Sequence, residues 1–591
     1  MSEIFNKYKH FCLPVILGIV YVFFIVATWG KWGHVVSDSF REAIIPQALL
    51  EGKVFYSDIT NLYSPLAYWL NASLFAVFGS SLNVLYFAGI VNSLIILSTI
   101  YFITKKFSSD FTAFTVVLTI MEIFTFRITM LNSASWFFPY SYSFIYAFSA
   151  CLLALLAFIL YKEKNELKYL FITFFLSGLS FAFKADFLLF AIIPFVELIK
   201  NKSVKQFFTA FACFAAPCCL TLCFYLLFGG SISAVLGQIQ FLSAFSKAPS
   251  VLLFNKLFLP QTINLYVIQN LICSTIGFAT ITAIFGLCVS AVFFAVNKLK
   301  NNILKAIISM LGIFFGYTIL ITLTAKLEFI YFGLHANLVC IPYFVIIGAI
   351  CVFIFKDKGK NCTKQEKFFI LLAAVGFLTA FRLISSVFIS YIGNFIMPIF
   401  WLAFVFFCME LLPEYFPKLK TENYKKITAT AFIAIGLTFS YLYFYLAGTM
   451  NTKINSSKGS VYVSENYAKT INDTLDYINQ NVPKDKTLLV MEEGLIFNYL
   501  TDRKTDLKYY ALIPHIIDTF GEEKIISEIS KNPPDYVFIT NNIYPTKLGG
   551  KFGIDYAKQI TAYVFDNYEY VQSAMHPELG KGFEIAILKK K

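Results

Sequence analysis

The sequence predicts a polytopic α-helical membrane protein of about thirteen spans, at roughly 20 residues per span, with a C-terminal extracytoplasmic α/β domain. Three observations lead there. Of 591 residues, 58% are hydrophobic and only 14% charged, where soluble domains run nearer ~25% charged. Apolar runs of membrane length recur from the N-terminus to about residue 447. Beyond that point the chain turns to dense charge and ordinary soluble patterning.

The apolar runs are 11–28, 82–104, 109–127, 142–161, 169–183, 187–199, 206–228, 269–297, 304–324, 337–355, 368–388, 394–412 and 427–447. Short ones such as 187–199 cross with help from their neighbours. Lys7 and Lys9 precede the first run and no small-residue cleavage site ends it, so it reads as a retained span. Cations set the orientation. With a cytoplasmic N-terminus, the inner loops hold Lys105/Lys106, Lys162/Lys164/Lys168, Lys200/Lys202/Lys205, Lys298/Lys300/Lys305, Lys356 to Lys367 and Lys418 to Lys426. The outer loops keep scattered cations such as Lys31 and Lys53. An odd number of spans places the tail outside. The net charge of +13 is spread over these loops, which excludes a nucleic-acid-binding face. All cysteines except Cys362 lie in apolar runs and none in the tail, as expected of small packing residues.

Two domains follow: 1–448 in the membrane, with 29–81 as the first outer loop and its interfacial helices, and 449–591 outside. In the tail, a helix over 464–480 leads into the strand TLLVMEE, the helix EEKIISEISKNPP and the strand DYVFIT. A helix over 555–568 and the strand EIAILKK close it. This alternation predicts an α/β fold.

Chemistry is expected on the outer side. In SDSFREAIIPQALL, a helix over 38–50 puts Asp38, Arg41 and Glu42 on one side, with Ile44, Ile45, Ala48 and Leu49 toward the membrane surface. The stretch reads either as a solvated charged patch or as a carboxylate at the interface, poised as a general base. Lys184 and Asp186 interrupt GLSFAFKADFLLFAIIP, Glu122 and Arg127 lie in the outer half of the third span, and Arg382 in that of the eleventh. Ionisable groups within spans face a bundle interior or a watery cavity; each pair also reads as a structural ion pair. A cavity that gathers Lys and Arg beside an acid suits a phosphate leaving group. There is no Gly-rich phosphate loop, HExxH or GxSxG. His34 and His335 face outward without partners at ligand spacing. Glu122, Asp58 and Glu42 could collect a divalent cation, though no spacing demands one. The inner loops are too short for a nucleotide-using site, so an activated sugar would arrive on the outer face attached to a lipid.

Several short motifs recur in one order. Asp38-Ser39-Phe40-Arg41-Glu42-Ala43 follows the first span; Gly52, Tyr56 and Asp58 precede Tyr63-Ser64-Pro65 and an aromatic helix; Gly178-Leu179 precedes Lys184; and Arg382, Tyr391 and Pro398 come late. In these motifs and their sidedness the chain resembles the GT-C superfamily of membrane glycosyltransferases, in particular bacterial relatives of protein O-mannosyltransferases and of the lipid A aminoarabinose transferase. Tyr63-Ser64 stand where the aminoarabinose branch has Glu-Lys, which argues against that sugar, and Ser39 replaces the second acid typical of protein mannosyltransferases.

The resemblance implies a GT-C fold in a bacterial cytoplasmic (inner) membrane and inverting transfer from a polyprenyl-phosphate sugar to an envelope lipid, glycan or protein hydroxyl. It makes Asp38 the base, and Lys184, Arg382 and Arg41 the partners of the lipid phosphate. Asp58, Glu42, Tyr63, Glu122, Arg127 and His335 are expected around the substrate. A transporter or flippase would instead place its polar groups at the bilayer midplane. A ligase would carry its soluble part between late spans.

Overall fold

In the computed structural model the described residues are 2–128, 135–200, 203–252, 329–381, 392–541, 550–574 and 583–591. The expected spans 269–297 and 304–324 lie outside them, as does Arg382.

The N-terminal part is helical. Helix α1 (Ser2–Thr28) leads to a 3-10 turn (Asp38–Phe40), then α2 (Arg41–Leu50) and α3 (Leu66–Phe78). There follow α4 (Leu82–Lys105), α5 (Asp110–Ile120) with a π turn (Met121–Thr125), α6 (Tyr142–Lys164) and α7 (Leu167–Phe183). A 3-10 turn (Ala185–Ala191) precedes α8 (Ile192–Lys200), α9 (Val204–Leu227) and α10 (Ile232–Lys247). Then come α11 (Phe329–Phe355), α12 (Lys364–Ala380), α13 (Met397–Phe406) and α14 (Glu422–Thr449). Among the described residues six helices are long and apolar enough to cross a membrane: α1, α4, α6, α9, α14 and α13 with its extension to Tyr415.

Helix starts are fixed by hydroxyl caps. Ser81, Ser109, Ser203, Ser231 and Thr421 each accept a bond from a first-turn amide, and Thr363 with Glu366 forms a full capping box. Ion pairs knit one end of the bundle: Lys106 and Lys364 both reach Glu163, and Lys425 reaches Glu410 at 2.8 Å. Aromatic packing fills the other end, where Trp32 sits among Trp29, Tyr86 and Phe137.

The tail begins with a two-stranded ladder, β1 (Thr452–Lys453) and β2 (Tyr462–Val463), followed by α15 (Glu465–Asn481). Next are β3 (Leu488–Met491), α16 (Leu495–Thr501), α17 (Pro514–Phe520) and α18 (Glu522–Lys531). Strand β4 (Tyr536–Thr540), α19 (Lys558–Asn567), β5 (Tyr568–Ala574) and β6 (Ile585–Lys590) complete it. The sheet is mixed, in the order β3-β4-β6-β5, with β3 and β4 parallel. Strand β5, YEYVQSA, escapes the sequence reading because only its first residue is buried, so it lacks an apolar alternation.

The tail packs on the loop between α1 and α4. Tyr462 N–H donates to Gly30 O (2.9 Å), Leu82 N–H to Lys458 O (2.8 Å) and Thr60 N–H to Lys508 O (3.0 Å). Helix α2 therefore does not rest on a membrane surface with its apolar face: Ile44, Ile45 and Ala48 are buried in protein. The tail supplies a cover that local periodicity does not reveal.

Helices α7 and α9 approach closely at Gly178, where an added Cβ would collide with the backbone carbonyl of Phe214. Small residues permit such approach between membrane helices. Gly178→Ala should lower stability by about 1–3 kcal/mol, read as a lower Tm in detergent. Gly348→Ala, which meets only ordinary contact with the Phe369 ring at 3.6 Å, should leave Tm unchanged or raise it.

Candidate functional site

Helix α7 stops at Phe183, Lys184 is extended (φ −153°, ψ 121°), and the next turn is 3-10. This break delivers Lys184 to a cavity of about 980 Å³. Its walls come from far apart in the chain: Tyr56 and Tyr63 of the first loop, Phe144 of α6, Cys218 of α9, Gln238 and Phe245 of α10, and His515 of α17. Most of the lining is aromatic or aliphatic, with Lys184 and Asp186 as its charges among the described residues.

The Lys184 ammonium lies 4.1 Å from the centroid of the Tyr63 ring and 4.5 Å from that of Phe144, and 3.3 Å from Asp186 Oδ2. Cation–π contact of this kind strengthens as water is excluded. Gln238 Nε2 donates to Asn61 O at 2.7 Å, fixing α10 against the first loop. His515 sits edge-on to Phe245, and burial pushes its imidazole below the usual range, so it is neutral near pH 7.

Behind Tyr63 lies the charged turn. The Tyr63 and Tyr140 rings meet at 5.8 Å, and the Arg41 guanidinium covers Tyr140 at 5.1 Å. Arg41 Nη2 bonds Asp38 Oδ1 and, at 2.8 Å, Glu493 Oε1 of the tail. Ser37 Oγ donates to the other oxygen of Glu493 at 2.8 Å. Neither Asp38 nor Arg41 is among the residues lining the cavity; the Tyr63–Tyr140 pair stands between them and Lys184.

The other expected residues are dispersed. Glu42 does not share the half-buried side of Asp38 and Arg41. It is fully buried, accepting from Tyr68 Oη (2.7 Å) and Tyr142 N (3.1 Å). Asp58 is exposed and accepts from Val54 N at 2.7 Å, bracing its loop away from the cavity. Glu122 is buried in the π turn against Gly436, and Arg127 donates to Asn394 Oδ1 at 3.0 Å; neither lines the cavity. His335 lies in α11, its side chain outside the described set. Among the described residues no three acids, histidines or cysteines converge as metal ligands, and Glu122, Asp58 and Glu42 sit apart.

Sequence reasoning missed Gln238, Tyr140, His515 and Glu493. One signal was present for the last: two acids, Glu492 and Glu493, end an otherwise apolar strand, and ligands of α/β sheets gather at the carboxyl ends of strands. Glu492 turns inward, bonded by Tyr556 Oη, and burial raises its carboxyl to about 8.

No described protein family matches the chain, and no curated protein matches it in sequence. Solved structures do. ArnT from Cupriavidus metallidurans in the apo state is 11% identical over 98% of each chain, with a TM-score of 0.41. The same protein bound to undecaprenyl phosphate gives 10%, 98% of each chain and 0.42. The Archaeoglobus fulgidus oligosaccharyltransferase in complex with Zn and sulfate gives 11% over 94% of this chain and 71% of its own, with a TM-score of 0.47. Both proteins are GT-C membrane glycosyltransferases.

Burial raises the Glu42 carboxyl from 4.5 to about 7. Its contribution to stability is therefore present in full below about pH 4.5 and lost as pH rises through about 7, a change of roughly 3 kcal/mol. Glu42→Gln keeps an oxygen for Tyr142 N–H and offers its amide to the Tyr68 oxygen. Thermal melts from pH 4.5 to 8.5 should show the wild type losing stability relative to Glu42→Gln as pH rises. Parallel curves would show that Glu42 titrates alike in both states.

Proposed function

We propose that this protein is an inverting glycosyltransferase that moves a sugar from a polyprenyl-phosphate donor to a hydroxyl acceptor on the outer face of a bacterial cytoplasmic membrane. The observation that carries it is the caged ammonium of Lys184 in a large, mostly apolar cavity, one aromatic pair away from the Asp38–Arg41–Glu493 group. Apolar walls such as Phe181, Leu188 and Leu242 suit an isoprenoid chain, and a cation in low dielectric suits its phosphate.

In this reading the acceptor oxygen attacks the anomeric carbon while its proton passes to the Asp38 carboxylate. The bond from that carbon to the phosphate oxygen breaks, its electron pair stays on the phosphate, and the configuration inverts. Lys184 neutralises the departing charge. Arg382, outside the described residues, is assigned the same role. Arg41 orients Asp38 through their hydrogen bond, and the sugar lies against Tyr63 and Tyr140. His515 and Gln238 bound the acceptor side. Envelope lipids, glycans and proteins are all acceptors of the right chemistry.

The architecture that goes with this reading has about thirteen spans at roughly 20 residues each, a cytoplasmic N-terminus, and a division into a membrane part, 1–448, and an extracytoplasmic tail, 449–591. Its support is that the described basic loops pair with one another at one end of the bundle while the tail covers the other.

Purified protein in lipid should release polyprenyl phosphate, detected by mass spectrometry, from at least one member of a panel of polyprenyl-phosphate sugars given mixed acceptors. Asp38→Asn should slow release by about 10²-fold or more, and Lys184→Gln by about 10²–10³-fold. Equal rates for wild type and Asp38→Asn would remove Asp38 as the base. A folded wild type that releases nothing from any donor would sink the reading.

A further inference from the structure

A transferase of this kind ends its cycle with a lipid phosphate that must leave, and the cavity holds a carboxylate against its own cation. Asp186 Oδ2 lies 3.3 Å from Lys184 Nζ, and the two side chains are only 12% and 11% exposed. The pairing is built by the backbone. The end of α7 and the extended Lys184 reverse the helical phase, and Asp186 then opens the 3-10 turn Ala185–Ala191. Both residues line the cavity, and the Tyr63 and Phe144 rings occupy further approaches to the ammonium. A purely structural pair has no need of open volume around it. This one faces the volume that an anionic head group would enter.

We infer that Asp186 is a release residue, competing with the lipid phosphate for Lys184 and opposing the monoester product more than the diester donor; this rests on the transferase reading above. The charges decide the sign. A polyprenyl-phosphate sugar is a phosphodiester with one negative charge. Transfer forms the bond from acceptor oxygen to anomeric carbon and breaks the bond from that carbon to the phosphate oxygen. The electron pair stays with the phosphate, so the product is a monoester whose charge approaches −2 at pH 7, its second pKa being about 6. A lone ammonium between aromatic rings would hold this dianion more tightly than the donor, and product release would limit turnover. A fixed carboxylate at ion-pair distance from the same ammonium repels the dianion about twice as strongly as the monoanion, because Coulomb energy is linear in charge. Asp186 thereby evens the affinities of donor and product. It touches the cation rather than the reacting atoms, so its effect falls on binding and release.

The probes are farnesyl phosphate, a monoester, and its methyl diester, bound to wild type, Asp186→Asn and Lys184→Gln in lipid nanodiscs. Asp186→Asn should bind farnesyl phosphate about tenfold or more tighter and the methyl diester by a clearly smaller factor, following like-charge removal at this range. Lys184→Gln should weaken both, and Asp186→Glu should behave as wild type. In turnover, Asp186→Asn should lower kcat and KM together and make polyprenyl phosphate a stronger inhibitor. Unchanged or weaker monoester binding by folded Asp186→Asn, or equal tightening for both probes, would overturn the inference. Asp186→Ser serves as a second neutral variant if the first does not fold. Binding is read without turnover. A wild type that transfers no sugar, with Asp186→Asn still favouring the monoester, would therefore sink the transferase reading and leave the release role at an anion site.

Discussion

The guanidinium of Arg41 holds together parts of the chain that are 452 residues apart. It bonds Asp38 in its own turn and Glu493 at the end of β3, and lies over the ring of Tyr140. Moving an ion pair out of water costs several kcal/mol unless further hydrogen bonds complete it. Here Ser37 Oγ serves the second oxygen of Glu493, and Thr540 Oγ1 serves its carbonyl at 3.2 Å. Arg rather than Lys is required, since a planar fork can meet two carboxylates and a ring face at once. Elsewhere the tail docks through Lys458, which pairs with Asp502 within the tail and donates to Gln47 of α2 at 2.9 Å, and through Lys504, which reaches Glu51 at 3.1 Å. The exposed Lys504–Glu51 pair contributes little; the Arg41–Glu493 pair is the more enclosed.

That clamp gives the two ends of the bundle different physics. At the end carrying the basic loops, Lys105 with Asp110 and Lys356 with Glu366 pair lysines that are 41% and 36% exposed, where water and salt weaken each interaction. At the tail end the cations themselves are more enclosed, Arg41 at 17% and Lys184 at 11% exposed, so the same unit charges act over longer range. Function is expected where the field is strong, and the described cavity lies at that end.

Much of this was legible in the sequence, and what was not has a common cause. The six long apolar helices among the described residues and the tail's main strands follow from hydropathy runs and local alternation, which are short-range properties. The Lys184–Asp186 break announced itself as charge inside an apolar stretch. Glu42 was placed with Asp38 because i and i+4 share a helical face. The turn is 3-10 at Asp38–Phe40, which eclipses Asp38 and Arg41 and leaves Glu42 rotated toward Tyr68. Arg127 went astray similarly: the π turn Met121–Thr125 shifts the phase and sends it to Asn394. Tyr140, His515 and Gln238 carry no local signature, and Glu493 only that of an acid pair closing an apolar strand. Their importance comes from docking across long sequence separations, which one sequence does not encode in any periodicity.

The two cations of the candidate site share one design. Arg41 has a ring, Tyr140, and carboxylates, Asp38 and Glu493; Lys184 has rings, Tyr63 and Phe144, and a carboxylate, Asp186. The tyrosines that face the two cations meet edge to face. Burial pushes the Tyr63 phenol up to about 12, so it stays a neutral donor between them across physiological pH. An array of fixed charges separated by neutral rings is already oriented before any substrate arrives, and preorganised charge needs no rearrangement as a transition state develops. On the inference drawn for Asp186, a carboxylate beside a cation also weakens its hold on an anion. In the proposed reading, such an arrangement favours charge that moves through the site over charge that rests in it, as group transfer requires.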